Sequence, residues 1–273
     1  MNPIERFTSD TRPDQVRDTV RERYGAIASG NASCCGSSCG RGTPVDGDAL
    51  LATIGYDHAE ADAVPAESNL WLGCGNPLAF AAVKAGDTVL DLGSGAGIDC
   101  FLAARATGPG GRVIGVDMTP AMITRARDTA VRHGYANVEF RLGEIEHLPV
   151  PDTSVDVIIS NCVVNLSPEK DQVFREALRV LKPGGRLLVS DLVLTRPIDE
   201  DLRRSVALYV GCVAGAAPKE DYLGLMRDAG FADVAVVAED AYMVGAEQLP
   251  GDDPERRAFE SVVSIKVRAL KPA

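Results

Sequence analysis

The sequence predicts an α/β protein organised around a parallel, doubly wound sheet, and three observations carry that reading. From about residue 78 onward, short β-branched runs alternate with helical segments, the pattern of βαβ units joined by right-handed crossovers. Runs such as "VDVIIS" and "RLLVS" are continuously apolar, as strands covered by helices on both faces must be. One run, "VLDLGSGAG" at positions 89–97, passes directly from a strand through a glycine-rich turn into a helix.

Taken in order, the chain begins with a helical segment, "PDQVRDTVRERYGAIA", whose apolar stripe of Val16, Val20, Tyr24 and Ile27 has helical spacing. The stretch "ASCCGSSCG" follows at 32–40. Residues 43–76 then read as a loop-rich connection with one short helix, ending in "NLWLGCGNP". Five strands come next, in "DTVLDLG", "GRVIGVD", "NVEFRLG", "SVDVIIS" and "GRLLVSD". Helices in "GIDCFLAARA", "TPAMITRARDTAVRHG" and "EKDQVFREALRVLKPGG" separate them. After Asp191, helices around "DEDLRRSVALYVGCVAGAA" and "KEDYLGLMRDAG" lead to two further strands, "ADVAVVAE" and "SVVSIKVRAL". In the last, the alternation of Val263, Ile265, Val267 and Ala269 predicts one packed face and one wet face. Three regions are expected: a helical, Cys-rich extension over 1–76, a ligand-binding core over 77–195, and a covering segment with an α+β extension over 196–273.

Composition narrows the function. A formal net charge of −11 repels polyanions, so nucleic acid is not an expected partner. No apolar run reaches the ~18 residues that a membrane span needs, and the polar start "MNPIERFTSDTRPDQVRD" does not resemble a secretory signal. The expected location is cytoplasmic. There the seven cysteines, an odd number, read as thiols for soft-ligand binding, redox work or burial, not as a disulfide framework.

The glycine loop predicts the cofactor. Gly93, Gly95 and Gly97 let backbone approach a ligand at a helix N-terminus, and Asp117 ends the next strand where an acid grips ribose hydroxyls. Position 98 is Ile, where a dinucleotide fingerprint wants Gly. Asp91 just before the loop would repel a pyrophosphate and attract the ammonium of S-adenosylmethionine; the alternative is that Asp91 only bonds loop amides. "DLGSGAG", Asp117, "GEIEHLPVPDTSVDVIIS" and "LRVLKPGGRLLVSD" together resemble successive motifs of class I S-adenosylmethionine-dependent methyltransferases over residues 78–195. The resemblance implies a Rossmann-like core with an antiparallel C-terminal strand. It also implies that Met118 and Glu144–Ile145 border the adenine and that Asn161 faces the methionine portion. The Pro-Pro-aromatic signature of enzymes that methylate a flipped base is replaced here by "SNCVVNL".

The cysteines address the substrate. Cys162 stands at the C-terminal edge of the fourth strand, where ligands bind in such sheets. Cys212 follows the fifth strand, Cys74 sits in a Gly-bracketed turn, and Cys34 and Cys35 lie in the N-terminal extension. Cys100, inside an apolar helix, reads as a small buried hydrophobe, and Cys39 has no assigned role. The Cys35-x₃-Cys39 spacing has no partner pair, so no structural zinc is expected. Trivalent arsenic is a small substrate that wants several thiolates and keeps a lone pair able to attack a methyl group without a general base. "SCCG", "NLWLGCGNP", "SNCVVNLSPEK" and "GCVAGA" resemble the cysteine motifs of arsenite methyltransferases, covering residues 20–270. The resemblance implies that Cys162 and Cys212 are the main As(III) ligands. Cys74 and the Cys34/Cys35 pair, of which Cys35 is preferred, would supply a third thiolate or a disulfide after turnover. The substrate would be arsenite or its thiol conjugates, with glutathione or thioredoxin as reductant. Two features depart from the family: Trp71 stands where a small residue is expected, and Cys39 is additional. A methyltransferase for a small organic acceptor leaves the cysteine motifs idle, and a non-enzymatic metalloid-binding protein leaves the donor site idle.

Overall fold

The structure is a computed structural model that describes residues 5–30, 55–56, 58–70, 72–242 and 249–273. Cys34, Cys35, Cys39 and Trp71 lie outside the described residues.

Among the described residues, seven strands form one sheet: β1 (Thr88–Leu92), β2 (Arg112–Asp117), β3 (Val138–Leu142), β4 (Val155–Asn161), β5 (Leu181–Leu194), β6 (Ala232–Ala241) and β7 (Val262–Leu270). Their spatial order is β3-β2-β1-β4-β5-β7-β6. β3 through β5 pair in parallel, whereas β7 runs antiparallel to both β5 and β6. The order reverses between β1 and β4, which opens a ligand crevice beyond their C-terminal ends.

The helices among the described residues are α1 (Pro13–Ala28), α2 (His58–Asp62), α3 (Leu78–Ala81), α4 (Ile98–Thr107), α5 (Pro120–Arg132), α6 (Lys170–Val180), α7 (Glu200–Arg203), α8 (Val206–Val210), α9 (Lys219–Asp228) and α10 (Pro254–Phe259). Alternation along the strands sorts side chains to two cores. Val89, Val113, Val157 and Ile159 pack with Phe101, Ala104 and Ile123 of α4 and α5. Leu90, Leu92, Ile114, Val116 and Ile158 pack with Phe174, Ala177, Tyr222 and Met226 of α6 and α9. A third cluster, above the sheet's C-terminal edge, joins Val20 of α1, Cys74, Cys162, Leu166, Leu208, Cys212 and Val213.

α1 occupies the segment whose periodicity predicts it, with Val16, Val20 and Ile27 buried. Two expectations are modified. β5 runs on to Leu194 because Asp191–Leu194 continue the ladder against Ile265–Val262 of β7. The wet face of β7 is confined to Lys266, Arg268 and Leu270; nearer its start, Val262 and Ser264 are covered. The Cys74 turn supplies that cover, the Ser264 hydroxyl donating to the Cys74 carbonyl at 2.6 Å. None of the described helices is long and apolar enough to cross a membrane.

Candidate active site

The glycine loop is built by backbone geometry. Leu92 ends β1, and the amides of Gly93 and Ser94 both donate to the Val116 carbonyl, at 2.8 and 3.0 Å. This folds the loop across the end of β2. Gly93 has a φ of +67°, and a Cβ there would fall 2.3 Å from Val163 Cγ2, so the position requires glycine on both counts. Asp117 closes the turn from the other side: its two oxygens accept the amides of Gly95 (2.9 Å) and Thr119 (2.8 Å).

Three carboxylates collect around the loop. Asp91 and Asp99 are buried, and burial pushes the pKa values of Asp91, Asp99 and Asp117 upward. For Asp91 the shift is large, and Asp99 and Asp117 add to it by repulsion. Asp99 reaches about 6, held there against hydrogen bonds from Tyr56 and Asn161. A buried anionic cluster of this kind is relieved by a cationic ligand. The Ser94 hydroxyl is buried without a partner, and open space lies where a Gly95 Cβ would point. A ligand carrying a sulfonium, an ammonium and ribose hydroxyls fits this donor and acceptor set.

The pocket's outer edge is covered by α1. Arg21 donates to the Met118 carbonyl (3.2 Å) and to Glu144 (3.0 Å), and Arg17 pairs with Glu144, Glu146 and Glu169. Met118 and Glu144 are thus brought together at one rim. Ile145 differs: its side chain is buried in the core with Leu92 and Val116.

The thiols meet beside this pocket. Cys162 follows Asn161 directly, with a φ of +58°; Cys212 follows α8 and Gly211, with a φ of +64°. Left-handed backbone at a residue with a side chain costs about 1–2 kcal/mol, and such strain concentrates at functional sites. The Cys212 thiol donates to the Cys162 carbonyl at 2.9 Å. The sulfurs of Cys74 and Cys162 and a carboxylate oxygen of Asp191 all lie within 4.8 Å of one another. Cys74, Cys162 and Cys212 are 3%, 8% and 3% exposed. Burial raises the Cys74 thiol above its ordinary value and Cys162 further, the neighbouring thiols adding to the latter shift. All three join a buried, largely apolar cluster with Leu166, Leu192, Leu208 and Val213.

These strands and turns have known counterparts. A family described as "Methyltransferase domain" matches residues 83–230. The arsenite methyltransferase of Halobacterium salinarum is 46% identical, the alignment covering 100% of this chain and 71% of that protein. The arsenite methyltransferase of Aquipseudomonas alcaligenes is 37% identical over 94% of this chain and 74% of that protein. The chain belongs to the arsenite methyltransferase family. The crystal structure of an arsenic(III) S-adenosylmethionine methyltransferase from Chlamydomonas reinhardtii superposes with a TM-score of 0.64 at 33% identity, covering 85% of this chain and 75% of that one. The fold is the class I methyltransferase fold, and the chain is an S-adenosylmethionine-dependent methyltransferase.

Several groups at the site carry no motif of their own. Asp191 accepts from the Asn165 amide and side chain, the Leu192 amide and the Tyr222 hydroxyl. Burial lifts it to about 6, and Lys170 opposes the shift. Lys170 is itself lowered to about 8 by burial, and donates to the Asn165 and Ser167 carbonyls. In the sequence, Asp99 is signalled only by its place in the first turn of α4, and Tyr56 by nothing local. Cys100 is fully buried in the α4 core, as expected of a small hydrophobe, and its thiol also donates to Asp91 at 3.3 Å.

Proposed function

We propose that the chain methylates trivalent arsenic held by Cys74, Cys162 and Cys212. The observation that supports this reading best is the convergence of these three thiols, from segments up to 138 residues apart, in one buried cluster beside the glycine loop.

Asp91, Asp117 and the glycine loop would hold S-adenosylmethionine, with Met118 and Glu144 at the adenine rim and Asn161 toward the methionine portion. When bound, that molecule supplies a methyl group on a positively charged sulfur. The chain's part is to gather, orient and dry the reactants. Each S–H that condenses with an As–OH forms one S–As bond and releases one water, so the step needs no separate proton acceptor. Three sulfur ligands leave arsenic its lone pair as the nucleophile. No proton is lost from arsenic, so no general base is required.

Methylation takes arsenic formally from As(III) to As(V). A second cycle needs two electrons, which a dithiol supplies by closing to a disulfide. Cys34 and Cys35, outside the described residues, are our candidates for that exchange, with glutathione or thioredoxin restoring the thiols. A reducing compartment such as the cytoplasm would keep them available.

X-ray absorption at the arsenic edge tests the ligand set. With one equivalent of arsenite, three sulfur neighbours are expected in the native protein and two in Cys74→Ser or Cys212→Ser. An oxygen-only arsenic shell in the native protein would overturn the proposal.

A further inference from the structure

We infer that Tyr56 is a positioning residue for the Cys74 thiol, acting through Asn161. The residues concerned come from four separate segments. The Tyr56 hydroxyl donates to Asp99 Oδ1 at 2.7 Å and accepts from Asn161 Nδ2 at 2.9 Å. The same Asn161 nitrogen donates to the Gly75 carbonyl at 2.7 Å and faces Asp99 Oδ2 at 3.3 Å, while Asn161 Oδ1 accepts the Cys74 amide at 3.1 Å. One carboxamide thus grips both ends of the Cys74–Gly75 peptide pair.

The grip depends on a competition. Asn161 Nδ2 carries two protons and faces three acceptors: Gly75 O, Tyr56 Oη and Asp99 Oδ2. Of these, the buried Asp99 carboxylate is the strongest acceptor if it ionises. Tyr56 satisfies Asp99 with its own proton, and so leaves Asn161 free to hold the turn. Without the hydroxyl, Asp99 Oδ1 is left buried without its donor, and Asn161 is the neighbour able to supply one. Swinging toward Asp99 takes the carboxamide off Gly75 and Cys74. The turn has little room to follow passively, since a Cβ at Gly75 would lie 1.8 Å from Ser190 Oγ. Asp99 belongs to the donor cluster and Cys74 to the thiol cluster, so the same four groups also tie the two half-sites together. The consequence for catalysis rests on the reading of Cys74 as an arsenic ligand; the positional role does not.

The test uses the full chain with Tyr56→Phe, which keeps the ring. The first measurement is the iodoacetamide alkylation rate of each cysteine, followed by mass spectrometry. Cys74 should be labelled at least tenfold faster than in the native protein, with Cys100 and Cys212 within twofold. Adding Asp99→Asn, which removes the competing charge, should restore most of the protection. Unchanged Cys74 labelling, acceleration of all the buried cysteines together, or no rescue by Asp99→Asn would each overturn the inference. The second measurement compares kcat/KM on arsenite and on monomethylarsonous acid, which needs only two thiolates. Tyr56→Phe should lower the first at least tenfold and the second less than threefold, and Cys74→Ser should show the same split. Selective Cys74 labelling combined with a Cys74→Ser variant that treats both substrates alike would leave the positioning role standing and reject the ligand role of Cys74.

Discussion

Gly93→Ala probes the contact between the donor loop and the Cys162 turn. Position 93 has a φ of +67°, and a methyl group there would meet Val163 Cγ2 at 2.3 Å and Val163 Cβ at 2.7 Å. The left-handed backbone alone costs an alanine about 1–2 kcal/mol, and overpacking adds about 1–3 kcal/mol. The expected destabilisation is therefore about 2–5 kcal/mol. Val163 is the residue after Cys162, so a side chain driven back from position 93 carries the thiol with it, and arsenite turnover should fall with donor affinity. Val163→Ala removes both γ-methyls and relieves the closest overlap, leaving the Cβ contact and the backbone strain. Urea unfolding of the native chain, both single variants and the double variant gives the coupling directly. The double variant should be more stable than the summed single effects by about 1 kcal/mol or more. Additivity within about 0.5 kcal/mol, or a Gly93→Ala chain as stable as the native one, would show that the loop and the turn do not press on each other.

Asp117→Ala should weaken S-adenosylmethionine binding by about 1.5–3 kcal/mol, since it removes the proposed ribose acceptor and frees the Gly95 and Thr119 amides; calorimetry should find arsenite affinity nearly intact, and an equal loss of both would show that the two sites are not separable. Cys100→Ser should retain arsenite binding and methylation, with a modest drop in thermal stability; loss of arsenite binding would make Cys100 part of the arsenic site. Asp99 titrates near 6 when folded against 3.8 as its ordinary value, so the folded state holds this proton more tightly than the unfolded chain does. Its contribution to stability is present below pH ~4 and is lost as pH rises through ~6, a change on the order of 2–3 kcal/mol. Asp99→Asn lacks that loss, so its stability relative to the native chain should improve by this amount between pH 4 and 6.5 in urea titrations; a constant difference would contradict the burial argument.

Much of this arrangement is legible in the sequence because its signals are local. The α1 stripe, the strand–glycine–helix unit at 88–107 and the strand β7 each declare themselves within about a dozen residues, by period or by turn chemistry; that β7 runs antiparallel comes from family likeness. The cysteine segments declare themselves by family likeness. What stays hidden is long-range polar pairing. Tyr56 meets Asn161 across 105 residues, Asn161 meets Asp99 across 62, and Ser264 covers the Cys74 turn across 190. None of these partners leaves a periodic trace. Asp191 reads as an ordinary strand end until Asn165 and Tyr222 are seen donating to it. The left-handed backbone at Cys162 and Cys212 is hidden for the same reason, since tertiary packing imposes it on residues with no local preference for it.

Turnover itself decides whether the buried thiols hold arsenic for methylation. The purified full chain is incubated with S-adenosylmethionine, arsenite and glutathione or thioredoxin, and arsenic species are separated by chromatography and identified by mass spectrometry. Methylated arsenic should form in step with S-adenosylhomocysteine, and Cys162→Ser should form none while still binding S-adenosylmethionine. No methylated arsenic with either reductant, or equal yields from the native chain and Cys162→Ser, would rule out methylation of thiol-held arsenic at this site.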